Sequence, residues 1–325
     1  MKIKAIRIEK QGGPDVMKLE EIDLPAPGAG QITVRHGAIG LNYIDTYHRS
    51  GLYPLKLPSG IGLEAAGTVE AVGEGVESIQ TGDRVAYGMG PVGAYAEAAN
   101  VPAMTVVKLT DDIANETGAA MMLKGITAHY LLHSTYPVKR GDTILFHAAA
   151  GGVGLIVGQW AKHLGATVIG TVGSEAKAEL ARAHGYDHVI NYSEENVVER
   201  VKEITGGKML PVVYDGVGKD TFEISLDCLA PRGLLASFGN ASGPVENFDL
   251  GLLNAKGSLF VTRPSMMHYL LSPEEIAWRM DDLVDVVSKG IVKIEVNQKY
   301  GLADAVQAHK DLESRKTTGS TVLIP

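Results

Sequence analysis

The sequence contains one cysteine, Cys228, in 325 residues. That excludes an internal disulfide and any cysteine-rich structural metal site. It has no apolar stretch near the roughly 18 to 20 residues that span a bilayer. Its start, Met1 to Arg7, alternates charged and apolar residues like a strand and lacks the apolar run of a signal peptide. A soluble, cytoplasmic protein is expected. No basic cluster offsets the formal net charge of -8, so the footprint of a nucleic-acid or anionic-lipid binder is missing. The ten histidines show no His-Glu-x-x-His spacing, and no Gly-x-Ser-x-Gly elbow marks a serine hydrolase. Cys228 reads as inert core.

Glycine, by contrast, is abundant: 39 residues against 14 prolines, with no periodic repeat. This composition favours tight turns and close backbone approaches. The length exceeds what one core usually supports, so two domains are expected. Up to about residue 116 the chain reads as short strands broken by turns, among them Ile3 to Ile8, Gln31 to His36, Gly67 to Val72 and Asp83 to Tyr87. A helix is expected over Thr117 to Leu132, and strands and helices then alternate. The strands are Thr143 to His147, Thr167 to Val172, Val189 to Tyr192, Pro211 to Asp215, Leu234 to Phe238 and Ser258 to Thr262. The helices are Val153 to Leu164, Glu175 to His184 and Thr221 to Leu229. Alternation of this kind means a parallel sheet covered on both faces. After Pro264 come a helix over Pro273 to Ser288, a short segment Lys293 to Val296, a helix over Ala303 to Ser314 and a strand over Thr321 to Ile324. The simplest packing returns this tail to the first domain. The expected division is 1–124 plus 265–325, with 125–264 inserted.

One glycine turn carries chemistry. Ala149, Ala150, Gly151, Gly152, Val153 and Gly154 join a strand to a helix. On the dinucleotide fingerprint, Gly151 and Gly154 take the second and third glycine positions, while Ala149 stands at the first. Gly151 lets backbone approach a pyrophosphate, Gly154 lets helix pack on strand, and the helix N-terminus offers free N–H groups. The tip of the next strand reports on the cofactor. NAD binders place an acid there to hold the ribose hydroxyls, but this chain has Gly173 and Ser174. Lys177, in the first turn of the next helix, opposes the macrodipole unless an anion such as a 2′-phosphate is present, and Tyr192 adds a hydroxyl. The competing reading makes Glu175 the ribose acid, which would mean NAD. The loop Gly239, Asn240, Ala241, Ser242 and Gly243 follows the fifth strand, where open sheets bind ligands, and is read as a cofactor contact. His147 and the Met121–Met122 pair are read as packing.

The runs Gly40-Leu41-Asn42-Tyr43-Ile44-Asp45, Gly51-Leu52-Tyr53-Pro54, Gly60-Ile61-Gly62-Leu63-Glu64-Ala65-Ala66-Gly67 and Gly82-Asp83-Arg84-Val85, with the glycine turn, resemble the medium-chain dehydrogenase/reductases. The likeness runs to Pro325 and is strongest to the quinone oxidoreductase, zeta-crystallin-like group. It implies an α/β protein in which a doubly wound Rossmann sheet is inserted into a mostly-β, GroES-like barrel domain. It also implies NADPH as cofactor and a homodimer formed along the apolar edge Ser258 to Val261. Zinc relatives carry ligands where this chain has Asn42 and Leu63. Glu64 alone cannot hold a catalytic zinc, which needs about three protein ligands, and is expected to bond to nearby backbone instead.

Without a metal to polarise a carbonyl, the acceptor must take hydride readily, as quinones do and as enones also do. The resemblance implies Asn42, Tyr47, Tyr53, Thr127 and Arg263 around the acceptor. It implies Tyr43, Asp45, Tyr130, Arg263, Ser265 and Arg315 on the cofactor, besides the glycine turn, Gly173, Ser174, Lys177, Tyr192, Gly239, Asn240 and Ser242. No buried charge is expected near the acceptor, so Asn42 and Tyr47 are expected to orient it. A non-catalytic NADPH- or RNA-binding role, known among crystallin-like relatives, is the reading from a different class.

Overall fold

The computed structural model describes residues 1–325. In chain order, β1 (Lys2–Ile8), β2 (Lys18–Asp23) and β3 (Gln31–Leu41) lead into α1 (Tyr43–Ser50). Next come β4 (Ser59–Gly60), β5 (Glu64–Val72), β6 (Arg84–Tyr87), β7 (Ala98–Pro102) and β8 (Val106–Lys108), then α2 (Asn115–Tyr130). The alternating part follows as β9 (Thr143–Phe146), α3 (Gly152–His163), β10 (Thr167–Val172), α4 (Glu175–Ala183), β11 (His188–Asn191) and α5 (Val197–Ile204). It continues through β12 (Leu210–Asp215), α6 (Phe222–Asp227), β13 (Leu229–Ser237), α7 (Gly251–Ala255) and β14 (Phe260–Thr262). The tail is α8 (Pro273–Ser288), β15 (Val296–Gly301), α9 (Ala305–Glu313) and β16 (Ser320–Ile324). The strand of the tail thus lies at Val296–Gly301, C-terminal to the short segment the sequence had marked.

The chain divides into two compact units, Met1–Ile126 with Ser272–Ser288 and Ile294–Pro325, and Thr127–Leu271 with Lys289–Lys293. The first unit is organised by β3, whose 11 residues are mostly buried, with Gly37 alone exposed. It pairs antiparallel with β5, β7 and β16, so the end of the chain closes onto strands laid down at its beginning. The sheet runs β15-β16-β3-β5-β6-β8, and a smaller one runs β2-β1-β4. Where β3 crosses β5 the strands come so close that a Cβ on Gly67 would lie 1.9 Å from the Arg35 carbonyl oxygen. Ile6, Ile8, Ile32, Val34, Ile39, Tyr87 and Leu323 share one core. Each such aliphatic side chain contributes roughly 1.5–3 kcal/mol on burial.

The second unit is a six-stranded, wholly parallel sheet in the order β11-β10-β9-β12-β13-β14. The strands are near-continuous apolar runs, as burial on both faces requires. Leu145, Ile169, Ile190, Val213 and Leu235 fill the core on which α5 and α6 pack, and Cys228 lies among them. Burial pushes the Cys228 thiol up to about 12, so it stays an unreactive apolar group. The order of strands is that of a Rossmann fold, reversing between β9 and β12.

Three helices, α1, α5 and α7, have no counterpart in the sequence reading. The amphipathic α5 buries Val197 and Val201. Helix α1 is eight residues long. Asn42 caps its start, Asp45 accepts from the Asn42 backbone N–H at 2.9 Å, and Gly51 ends it at φ 92°.

Candidate functional site

Helix α1 places Tyr43, Asp45 and Tyr47 one to five residues from its Asn42 cap, and Tyr53 follows just beyond its end. The tyrosine rings form a chain: Tyr43 and Tyr47 are 5.6 Å apart, and Tyr47 and Tyr53 meet edge-on at 5.2 Å. Burial, and next Glu313, raise the Tyr43 hydroxyl, while Arg315 opposes them; Arg315 therefore acts on the same ring. The Asn42 amide nitrogen donates to Glu64 Oε2 at 2.6 Å, so one of its two hydrogens is committed before any acceptor arrives.

The expectation of no buried charge here is overturned. Asp45 and Glu64 are wholly buried and Lys124 nearly so. Glu64 accepts from the Leu123 backbone N–H at 2.8 Å, as expected, but also faces Lys124 Nζ at 3.5 Å. Lys124 donates as well to the Leu41 carbonyl at 3.2 Å. One cation therefore serves two carboxylates. Asp45 Oδ2 accepts from the Asn42 backbone and from the Tyr95 hydroxyl, each at 2.9 Å, while Oδ1 is buried with no hydrogen-bond partner. Burial raises Asp45 from its usual 3.8 to about 7, against the pull of those two hydrogen bonds and of Lys124.

The direction of the bonds around Asp45 is fixed from behind. Arg49 carries only donors, so its contact of 3.0 Å makes His309 Nδ1 an acceptor. The Nε2–H of His309 then donates to Tyr95 at 3.1 Å, leaving the tyrosine proton for Asp45. Burial first and Arg49 second keep His309 neutral, lowering it to about 3. Arg49 in turn makes a two-pronged pair with Glu313 at 2.7 and 3.0 Å.

In the second unit the glycine turn sits at the carboxyl end of the central strand. Gly151 is the N-cap of α3, which begins Gly152, Val153, Gly154. A Cβ on Gly154 would lie 2.5 Å from the carbonyl oxygens of both Ala148 and Ala149, so only glycine allows the helix to start there. The first-turn N–H groups of a helix have no partners within it, which makes this end of α3 a receptor for an anion. At the tips of β10 and β11, a Cβ on Gly173 would lie 2.6 Å from the Tyr192 hydroxyl oxygen. Ser174 caps α4, and Lys177 stands in its first turn, half-buried. Glu175 is engaged elsewhere, paired with Arg182 at 2.6 Å.

The third loop, Gly239 to Gly243, lies against the turn after β12. A Cβ on Gly239 would come within 2.2 Å of the Gly216 carbonyl oxygen. Ser242 donates from both backbone and hydroxyl to the Val217 carbonyl, at 2.8 and 2.9 Å. Arg263 donates to the Ser237 carbonyl at 2.7 Å and to the Asn240 amide oxygen at 3.0 Å, bracing the loop from beneath. Thr127 and Tyr130 are buried at the start of this unit, Tyr130 stacked on Tyr269 at 4.6 Å, and Ser265 is exposed. The structure thus gathers Asn42, Tyr43, Asp45, Tyr47, Tyr53 and Arg315 in one unit. It gathers the glycine turn, Gly173, Ser174, Lys177, Tyr192, Gly239, Asn240, Ser242 and Arg263 at the strand ends of the other.

Sequence reading missed Lys124, Tyr95 and His309. They lie far from α1 in sequence, and only the Asn-x-x-Asp cap of α1 announces that Asp45 turns inward. No group of three or more His, Cys, Asp or Glu side chains converges to hold a metal ion. No helix is long and apolar enough to cross a membrane.

A parallel sheet in this order, with a glycine turn and anion-receptive strand ends, defines a dinucleotide-dependent oxidoreductase of the medium-chain kind. Residues 28–111 match the alcohol dehydrogenase GroES-like domain, and residues 152–285 match the zinc-binding dehydrogenase family. The chain is 55% identical over 323 residues to a quinone oxidoreductase of Pseudomonas aeruginosa, covering 99% of both chains. It is 47% identical over 333 residues to a 2-haloacrylate reductase of a Burkholderia species, again covering 99% of both. The solved structure of Escherichia coli quinone oxidoreductase complexed with NADPH superposes with a TM-score of 0.97 at 52% identity, covering 99% of this chain and 100% of that one. The chain belongs to the quinone oxidoreductase family of the medium-chain dehydrogenase/reductases.

Proposed function

We propose that this chain is a metal-independent reductase that transfers hydride from NADPH to quinones. The observation that carries the cofactor choice is the tip of β10. It ends in Gly173 and Ser174 with no acid, Lys177 and the Tyr192 hydroxyl stand beside it, and Glu175 is drawn away by Arg182. That set fits a 2′-phosphate and offers no unpaired carboxylate to accept from a free 2′-hydroxyl. The Gly154 cradle and the first turn of α3 fit a pyrophosphate.

NADPH, when bound, supplies the hydride, and the protein's task is to position donor and acceptor. Asn42, Tyr47 and Tyr53 orient the acceptor through its oxygens. A quinone needs no stronger electrophilic help, because reduction makes its ring aromatic. Asn42 and Leu63 in place of ligands, and a Glu64 already committed to Leu123, Asn42 and Lys124, support action without zinc.

Activated alkenes are a second reading, supported by the 47% identity to the 2-haloacrylate reductase. We place the protein in the cytoplasm as a homodimer. Support for the dimer is the unpaired outer edge of β14, where Phe260 is 61% exposed.

The deciding assay follows NADPH oxidation with 1,4-benzoquinone, an enone and a 2-haloacrylate, and NADP reduction with ethanol, on protein analysed for metals. Quinone turnover without ethanol oxidation, unaffected by a chelator, is expected. Good ethanol oxidation, or stoichiometric zinc, sinks the reading.

A further inference from the structure

Beneath the cofactor loops of the second unit lies a buried chain of polar side chains. His147 follows β9, Thr171 is in β10, Asp215 ends β12 and Ser225 is in α6; all four are buried. The Ser225 hydroxyl donates to Asp215 Oδ2 at 2.9 Å, and its oxygen lies 3.0 Å from His147 Nε2. Since serine has one proton and gives it to the carboxylate, Nε2 must donate to serine. The imidazole is kept neutral by burial, so Nδ1 accepts from the Thr171 hydroxyl at 2.9 Å. This polarity is the reverse of a serine hydrolase, in which the imidazole accepts the serine proton. Ser225 is therefore no nucleophile.

The chain instead shapes two loops. Asp215 Oδ1 accepts from the Val217 and Gly218 backbone N–H groups at 2.8 and 3.1 Å, and the Thr221 hydroxyl lies 2.8 and 2.9 Å from its two oxygens. That folds the turn on which Gly239 and Ser242 rest. At the other end, His147 immediately precedes Ala148, which is exposed and held at φ 58°, a left-handed conformation that L-residues avoid. The backbone on either side of Ala148 is tied as well, His147 N–H to the Tyr214 carbonyl and Ala149 N–H to the Thr171 carbonyl, each at 3.0 Å. The Ala148 carbonyl then accepts from the Gly151 N–H at 2.9 Å, which sets the start of α3.

We propose that His147, Ser225 and Asp215 are positioning residues for the cofactor. The brace they form holds Ala148 in its left-handed turn, so that the tight turn forms although Ala149, the next residue, stands where the common fingerprint has its first glycine. This rests on the reading that these strand ends take NADPH. Nothing in the brace touches the reaction centre; it acts through the loops at Ala148–Gly154 and Gly239–Gly243.

The test is a rescue. Ser225→Ala breaks the chain in its middle, and the NADPH dissociation constant is expected to rise about tenfold, as for loss of one well-made buried hydrogen bond. Adding Ala148→Gly should restore most of that loss, because glycine takes the turn without needing the brace. Ala148 is exposed, so this second change removes no packing. The KM for quinone at saturating NADPH should not move. If Ser225→Ala does not fold, Thr171→Val removes only the outermost hydrogen bond, and the same rescue is expected. A lowered melting temperature with an unchanged NADPH dissociation constant overturns the proposal, as does a loss of binding that Ala148→Gly leaves untouched. Failure of the unaltered protein to bind NADPH overturns the cofactor reading and this inference together. Normal binding that is indifferent to Ser225 overturns the inference alone.

Discussion

The Rossmann unit and the barrel unit each bury a polar cluster, and the two are finished differently. Around Asp215 a single carboxylate meets four donating groups, and His147 has a partner on each ring nitrogen. Around Asp45 two carboxylates share one lysine, and one carboxylate oxygen has no partner at all. Fully satisfied buried networks rigidify, whereas an unpaired buried oxygen costs free energy, and far more when it is charged. The first cluster suits loops that must keep one shape. The second keeps an electrostatic imbalance beside α1, the helix that carries the proposed acceptor contacts.

The largest test of this contrast is to break the buried Glu64–Lys124 ion pair of the barrel with Asp45 left in place. Glu64→Gln removes the anion facing Lys124 and leaves an ammonium that is 7% exposed with one carbonyl partner. A loss of about 3 to 5 kcal/mol in unfolding free energy is expected from denaturant titration. Adding Lys124→Met should return at least half of it, since the stranded charge causes most of the cost. A loss below about 1 kcal/mol would mean that the pair behaves as a surface bridge.

Asp45 gives a smaller effect with a defined sign. Its folded value of about 7 lies above the usual 3.8, so folding takes up a proton between those limits. Stability from this group is complete below the lower value and is lost as pH rises through the upper one, at up to roughly 1.4 kcal/mol per pH unit. Asp45→Asn is neutral at every pH, so relative to the unaltered protein it should gain stability between about pH 4 and pH 7 and level off above that. A difference that stays flat over that interval shows that Asp45 is charged throughout.

The sequence made the second unit far more legible than the first. Parallel strands buried on both faces leave apolar runs with glycine punctuation; β10 occupies the residues that the pattern marks, and α3 begins and ends one residue earlier. In the barrel unit, α1 is too short to show a helical period, and its significance lies in contacts to Glu64, Tyr95 and His309. Those contacts join segments 22, 50 and 260 residues apart. Asn42 was legible through resemblance, but its bond to Glu64 was not. For the same reason Asp215 read as the end of a strand: its partner Ser225 is close in sequence, yet His147, 78 residues from Ser225, gives the cluster its meaning.

The smallest effects concern the surface of the cofactor unit, where the comparison turns from buried to exposed charge. Glu175 and Lys177 stand two residues apart in the first turn of α4, and the two cofactor readings assign them opposite roles. Glu175 is more than half exposed and already paired with Arg182, itself about half exposed. Exposed pairs of this kind contribute about 0 to 1 kcal/mol, so Glu175→Gln should change the ratio of NADPH to NADH affinity by less than about threefold. Lys177→Ala removes a cation that meets the 2′-phosphate in the proposed complex. A charge-assisted bond contributes about 1.5 to 3 kcal/mol, so NADPH should weaken roughly tenfold or more, with NADH nearly unchanged. The two substitutions must be read together, by equilibrium binding of each cofactor at one ionic strength, because screening weakens exposed charge pairs. If Glu175→Gln weakens NADH strongly while Lys177→Ala leaves NADPH untouched, the acid holds the ribose and the protein is an NADH enzyme.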